Sequence, residues 1–126
     1  MRACLDSWAV LRWLEGVQPA ARRVGRELGR DPIMSWINLG EVFYVVWRAA
    51  GRERAEEVVR DLRARVTMDV ASPTRVLEAA SIKAAHPMAF ADAFAIATAT
   101  AYGAALWTGD PEILGAPGRW VVEDLR

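Results

Sequence analysis

The chain has one cysteine, Cys4, one histidine, His86, and one lysine, Lys83, among 126 residues. A single cysteine permits neither an internal disulfide nor a thiolate zinc site. A single histidine excludes histidine-rich metal clusters, and His86-Pro87 reads as a helix-ending turn rather than as the partner of a nucleophile. Net charge is also missing, because 16 basic and 16 acidic residues cancel. No overall field therefore advertises a nucleic-acid partner, although charge can still segregate on the surface. The longest uncharged run, residues 93–109, is shorter than a membrane span and contains threonine and glycine. The amino-terminal MRACLDSW lacks the long apolar core of a signal peptide. These absences lead to the expectation of a soluble, cytoplasmic protein that does not engage a membrane.

What is present points to a folded core. Hydrophobic residues make up 53% of the chain, which excludes disorder, and the length suits one domain over residues 1–126. The basic residues are nearly all arginine. They cluster at Arg22, Arg23, Arg26 and Arg30 and again at Arg48, Arg52 and Arg54, as solvated helix faces do.

Short apolar runs alternate with helical patterns. Strands are expected at 2–5, 32–36, 66–71, 104–108 and 119–125. Helices are expected over 8–16, 19–28, from Asn38 to Gly51, over 52–65, from Pro73 to His86, and over 91–102. Strands separated by helices imply right-handed crossovers and a mostly parallel sheet covered on both faces. The strands are continuous apolar runs rather than alternating ones, which agrees. Ligands of such sheets bind outside the carboxyl ends of the strands.

Four acids fall on that edge. Asp6 directly follows the first strand, and Asp110 follows the fourth through Thr108-Gly109. Glu41 is expected in the first turn of the helix leaving the second strand, and Asp92 at the start of the helix feeding the fourth. Each has an ordinary explanation. Asp6 and Asp110 suit helix N-caps, Asn38-Leu39-Gly40-Glu41 has the pattern of a capping box, and Asp92 suits a helix dipole. Apolar neighbours surround all four, however, and crowded carboxylates in such surroundings repel by roughly 1–4 kcal/mol per close pair. Some must protonate or share a cation. Oxygen ligands without histidine or cysteine suit a hard ion such as Mg²⁺ or Mn²⁺. Glu112 is placed as a supplement to the cluster or, more simply, as stabilisation of a helix start.

LDSWAVL (5–11), NLGEVF (38–43), FADAFAIATA (90–99) and LWTGDPE (106–112), in this order, resemble the PIN domain, and specifically the toxin ribonucleases of VapBC toxin–antitoxin pairs. The resemblance covers essentially the whole chain. It implies an α/β three-layer sandwich whose central, mostly parallel five-stranded sheet has the order 3-2-1-4-5, flanked by helices. It assigns Asp6, Glu41, Asp92 and Asp110 to catalysis and to holding Mg²⁺ or Mn²⁺, with Thr108 in support; Ser7, the hydroxyl next to Asp6 but out of register with the family's polar position, is added as a second supporting residue. It implies endonucleolytic hydrolysis of RNA, with tRNA or rRNA as substrate, leaving 5′-phosphate and 3′-hydroxyl ends. It also implies a homodimer and a cognate VapB-like antitoxin. One departure is Trp8, which stands where the family often has a small polar residue two positions after the first aspartate.

Two other classes of function compete. A non-catalytic protein or RNA interaction module would use the six tryptophans, of which Trp8, Trp13, Trp36 and Trp47 lie near helix starts or on helices as core or as a partner groove. A phosphotransfer enzyme or receiver would want a second acid at position 8 or a late lysine, and the chain offers Trp8 and Lys83 instead.

Overall fold

The computed structural model describes residues 1–126. In chain order the elements are β1 (Ala3–Leu5), α1 (Ser7–Glu15), α2 (Ala20–Glu27), β2 (Ile33–Ser35), α3 (Trp36–Ala50), α4 (Arg52–Arg65), β3 (Thr67–Asp69), α5 (Pro73–Ala85), α6 (Phe90–Ala101), β4 (Ala105–Thr108), α7 (Pro111–Leu114) and β5 (Val122–Asp124). The five strands form one sheet in the order β3-β2-β1-β4-β5, and every neighbouring pair is parallel. That is the expected α/β sandwich and strand order.

Alternation along the strands sorts the core into two layers. Ala3, Leu5 and Met34 face one side and pack with Val10, Val24, Leu39, Val58 and Leu62 from α1 to α4. Cys4, Ile33 and Leu106 face the other and pack with Ala79 of α5, the alanine-rich α6 and Ile113 of α7. Helix α6 is buried at every residue from Asp92 to Ala99. Its small side chains let a helix lie flat between the sheet and α5, so its first turn is held in place by the core. The Cys4 thiol is buried at 0% exposure, and burial raises its pKa, so it behaves as a core side chain. No helix is long and apolar enough to cross a membrane.

Several boundaries differ from those expected. Strand β2 ends at Ser35, and α3 starts at Trp36 rather than at Asn38. The Ser35 side chain accepts from the Ile37 N–H at 3.1 Å and caps the helix, so the Asn38–Glu41 capping box does not form. Asn38 is buried instead, and its Nδ2 donates to the Ala91 carbonyl at 3.1 Å, tying α3 to the start of α6. Glu41 consequently sits in the second turn of α3. Strand β5 spans only Val122–Asp124 of the expected 119–125, and residues 118–119 form a bend before it.

Candidate active site

Each acid at the carboxyl edge is set there by local structure. Asp6 caps α1, with Oδ1 accepting from the Ala9 N–H at 2.8 Å, and is 2% exposed. Asp110 caps α7, with Oδ1 accepting from the Glu112 N–H at 2.9 Å. Asp92 is buried in the first turn of α6. The capping roles expected for Asp6 and Asp110 are therefore real, and the two carboxylates are near enough for their charges to repel.

Hydroxyl groups hold the cluster in register. Thr108 donates to Oδ2 of Asp6, and its oxygen accepts from the Asp110 N–H at 2.9 Å. Ser7 donates to Oε1 of Glu41, linking α1 to α3. Both supporting residues expected from sequence thus bond to expected acids, and the hydroxyl near Asp6 comes from Thr108 rather than from position 8. Trp8 takes a different part: its ring fills the space over Gly109, where any Cβ would overlap the indole.

Asp92, Asp110 and Glu112 each offer an oxygen within 4.8 Å of the other two. Glu112 also accepts from the Ala89 N–H at 3.2 Å, bracing the entry to α6. Glu112, for which sequence left open a place in the cluster or at a helix start, therefore lies beside Asp92 and Asp110 as well as in the first turn of α7. Asp6 and Glu41 adjoin this group. Burial is the main cause that raises the Asp6 carboxyl to about 7, with Asp110 and Glu41 adding repulsion. Burial likewise pushes Asp92 well above the carboxylate range, followed by its hydrogen bond to Glu112 and the charges of Asp110, Glu112 and Asp6.

Counter-charge separates these acids from the rest. Every acid in the chain belongs to an ion pair except Asp6, Glu41, Asp92, Asp110, Glu112 and the exposed Glu53. The contrast holds along the sheet edge itself. On the outer strands, Asp69 is gripped by Arg75 at 2.9 Å and accepts from the Tyr102 hydroxyl at 3.1 Å. Asp124 is paired with Arg126 at 2.9 Å. The central acids have no such partner, although they are the more crowded. An all-oxygen donor set with unneutralised charge and two carboxyls of raised pKa fits a hard divalent cation.

The family model of the PIN domain matches residues 3–117. No curated protein sequence matches the chain. Among solved structures, VapBC of Salmonella typhimurium bound to DNA superimposes with a TM-score of 0.79 at 17% identity, covering 100% of this chain and 99% of that one. VapBC2 of Rickettsia felis bound to a promoter DNA fragment gives 0.77 at 14% identity, with 98% of each chain covered. VapC20 of Mycobacterium tuberculosis, a sarcin-ricin-loop-cleaving toxin, gives 0.76 at 18% identity over 93% of this chain and 96% of that one. With the matched sequence spanning most of the chain and the strand order agreeing, the protein belongs to the PIN domain family.

Proposed function

We propose that the protein is a Mg²⁺- or Mn²⁺-dependent endoribonuclease that acts as the toxin of a toxin–antitoxin pair. The observation that carries this reading is the group of neighbouring acids at the carboxyl edge without a counter-cation. Asp92, Asp110 and Glu112 would hold the ion together with Asp6, and Glu41 would complete the site. When bound, the cation lowers the pKa of a water and polarises a non-bridging phosphate oxygen. The chain's own groups do the rest. Thr108 fixes the Asp6 carboxylate so that its position does not depend on the ligand. Ser7 restrains one oxygen of Glu41 and leaves the other to orient the attacking water and take its proton. The buried start of α6 keeps Asp92 from swinging away when a phosphate arrives. Asp6, Glu41, Asp92 and Asp110 are thus the catalytic set, with Glu112 added.

RNA as substrate is supported by the family and by the likeness to a sarcin-ricin-loop-cleaving toxin. Splayed single-stranded loops of rRNA or tRNA suit a shallow acidic edge. A cognate antitoxin is supported by the toxin–antitoxin complexes that share the fold. An apolar groove of about 260 Å³, lined by Leu11, Leu14, Val45, Val46, Ala49 and Val58, suits an amphipathic helix of such a partner. Of the tryptophans read as core or as a partner groove, none lines it: Trp8, Trp13 and Trp36 pack against the core, and Trp47 is exposed elsewhere on α3. A homodimer in the cytoplasm completes the proposal.

The test is cleavage of RNA by the purified chain with Mg²⁺ or Mn²⁺ and with excess chelator. Cleavage that requires the ion and is abolished by Asp92→Asn is the expected result. Ion-independent cleavage, or none from a folded chain under any ion, would overturn the reading and favour a non-catalytic interaction module.

A further inference from the structure

Six arginines lie over aromatic rings: Arg12 on Trp8, Arg23 on Trp107, Arg48 on Tyr44, Arg52 on Trp47, Arg63 on Trp36 and Arg65 on Trp13. Four of them also spend their charge on a carboxylate, namely Glu15, Glu123, Glu56 and Asp61. Arg48 and Arg63 do not. A guanidinium that a ring holds in place and no acid neutralises is prepared to take an anion. Its donors are free, and little side-chain freedom remains to be lost on binding.

Position distinguishes the two. At about 100° per residue, Glu41, Tyr44 and Arg48 fall within about 60° of one another around α3, one stripe running roughly 10 Å along the helix from the acidic cluster. Trp36, which carries Arg63, lies about 140° around the helix from Glu41. Tyr44 is 45% exposed, and the Arg48 guanidinium stands 5.0 Å from its ring centroid.

We infer that Arg48, positioned by Tyr44, binds a backbone phosphate of the RNA strand beside the one being cleaved. The inference rests on the nuclease reading and names the surface that holds its substrate. The acidic centre repels a polyanion, so affinity must come from cations near it but outside it. Arg48 meets that requirement on the stripe that contains Glu41. Tyr44 acts through Arg48 by fixing its plane, and its exposed edge remains available to a base.

The test measures binding of an unstructured single-stranded RNA oligonucleotide to the Asp92→Asn protein across a salt series, with cleavage by the parent assayed alongside. Arg48→Ala should weaken binding about tenfold at moderate salt and reduce the slope of log affinity against log salt by about 0.7. Arg48→Lys should keep the slope. Tyr44→Ala should weaken binding with the slope retained, and Tyr44→Phe should restore it. Arg63→Ala should stay near the parent. RNA binding and cleavage that Arg48→Ala leaves unchanged would overturn this inference alone. A chain that neither binds nor cleaves RNA would overturn the nuclease reading with it. Weakened binding that tracks a change from dimer to monomer in sedimentation would also overturn it, placing Arg48 at an interface between copies.

Discussion

Asp6 and Asp110 are joined by the hydroxyl of Thr108, which donates to the Asp6 carboxylate and accepts from the Asp110 N–H at 2.9 Å. One buried hydroxyl thus sets the spacing of two acids that are more than a hundred residues apart in sequence. Thr108→Val keeps the shape and removes both bonds. It should cost about 1–3 kcal/mol in urea denaturation, because a buried oxygen and a backbone N–H lose their partners. RNA cleavage should fall with it, and Thr108→Ser should recover most of both.

The raised Asp6 carboxyl makes the metal-free protein sensitive to pH. The folded chain holds its proton up to about 7, against an ordinary value of 3.8. Between those values the folded state binds more protons than the unfolded one, so stability is full below the window and is lost as pH rises through it. Asp92 acts in the same direction. In chelator, unfolding free energy should therefore fall from about pH 4 to pH 7, by up to about 1.4 kcal/mol per unit for each such group. Asp6→Asn should flatten the slope. A parent whose slope matches that of Asp6→Asn would contradict the assignment.

Asp110→Asn separates a cap from a cap that also holds an ion. Asparagine caps as well as aspartate, so capping alone predicts little change. Asp110 repels both Asp6 and Asp92. The variant should consequently melt above the parent at pH 8 in chelator. Mg²⁺ should raise the parent's melting temperature by mass action and the variant's much less. Asp92→Asn should behave alike. Equal gains from Mg²⁺ would leave Asp110 a cap only.

Gly109 has no room for a side chain because the Trp8 ring covers it. Gly109→Ala should destabilise the fold by about 1–3 kcal/mol through overpacking and reduce cleavage by displacing Asp110. Combining it with Trp8→Leu should cost less than the two single changes together, read as a coupling in a double-mutant cycle.

Arg75 offers the opposite case, an edge residue whose loss should spare the chemistry. Arg75→Met strands the buried Asp69 without its partner and should cost about 3 kcal/mol. Cleavage per folded molecule should be unchanged. A loss of cleavage without loss of stability would move Asp69 into the site.

Asp6, Asp92 and Asp110 were legible because each lies next to a strand end or a helix start, and a parallel sheet brings those places together. Glu41 was placed on that edge because its helix leaves the second strand, and α3 does follow β2 directly; only the helix start was set too late. Asn38-x-x-Glu41 has the pattern of a cap, but Ser35 supplies a hydroxyl one turn earlier and the helix starts there. Glu112 was ranked first as helix-start stabilisation and second as a supplement to the cluster, because an acid two residues past an N-cap is favoured by the helix dipole in any protein. Only the tertiary approach of Ala89 and Asp92 gives it a second use, and no local pattern carries that approach. The pairing of Asp69 with Arg75 was not read from sequence, because it needs the turn between β3 and α5 that brings the two together. Trp8 could not be read at all as the residue that packs over Gly109.

The neutral composition conceals an uneven arrangement. Nearly all the acids outside the central edge are matched locally, so the unmatched negative charge collects in one spot. The cations left without an acid, Arg22, Arg26, Arg48, Arg60, Arg63, Lys83 and Arg119, are instead dispersed over four helices and a loop. The molecule is therefore balanced as a whole and bipolar in layout. A divalent ion at the sheet edge meets a concentrated anion, and a nucleic acid arriving from the side meets guanidinium groups first.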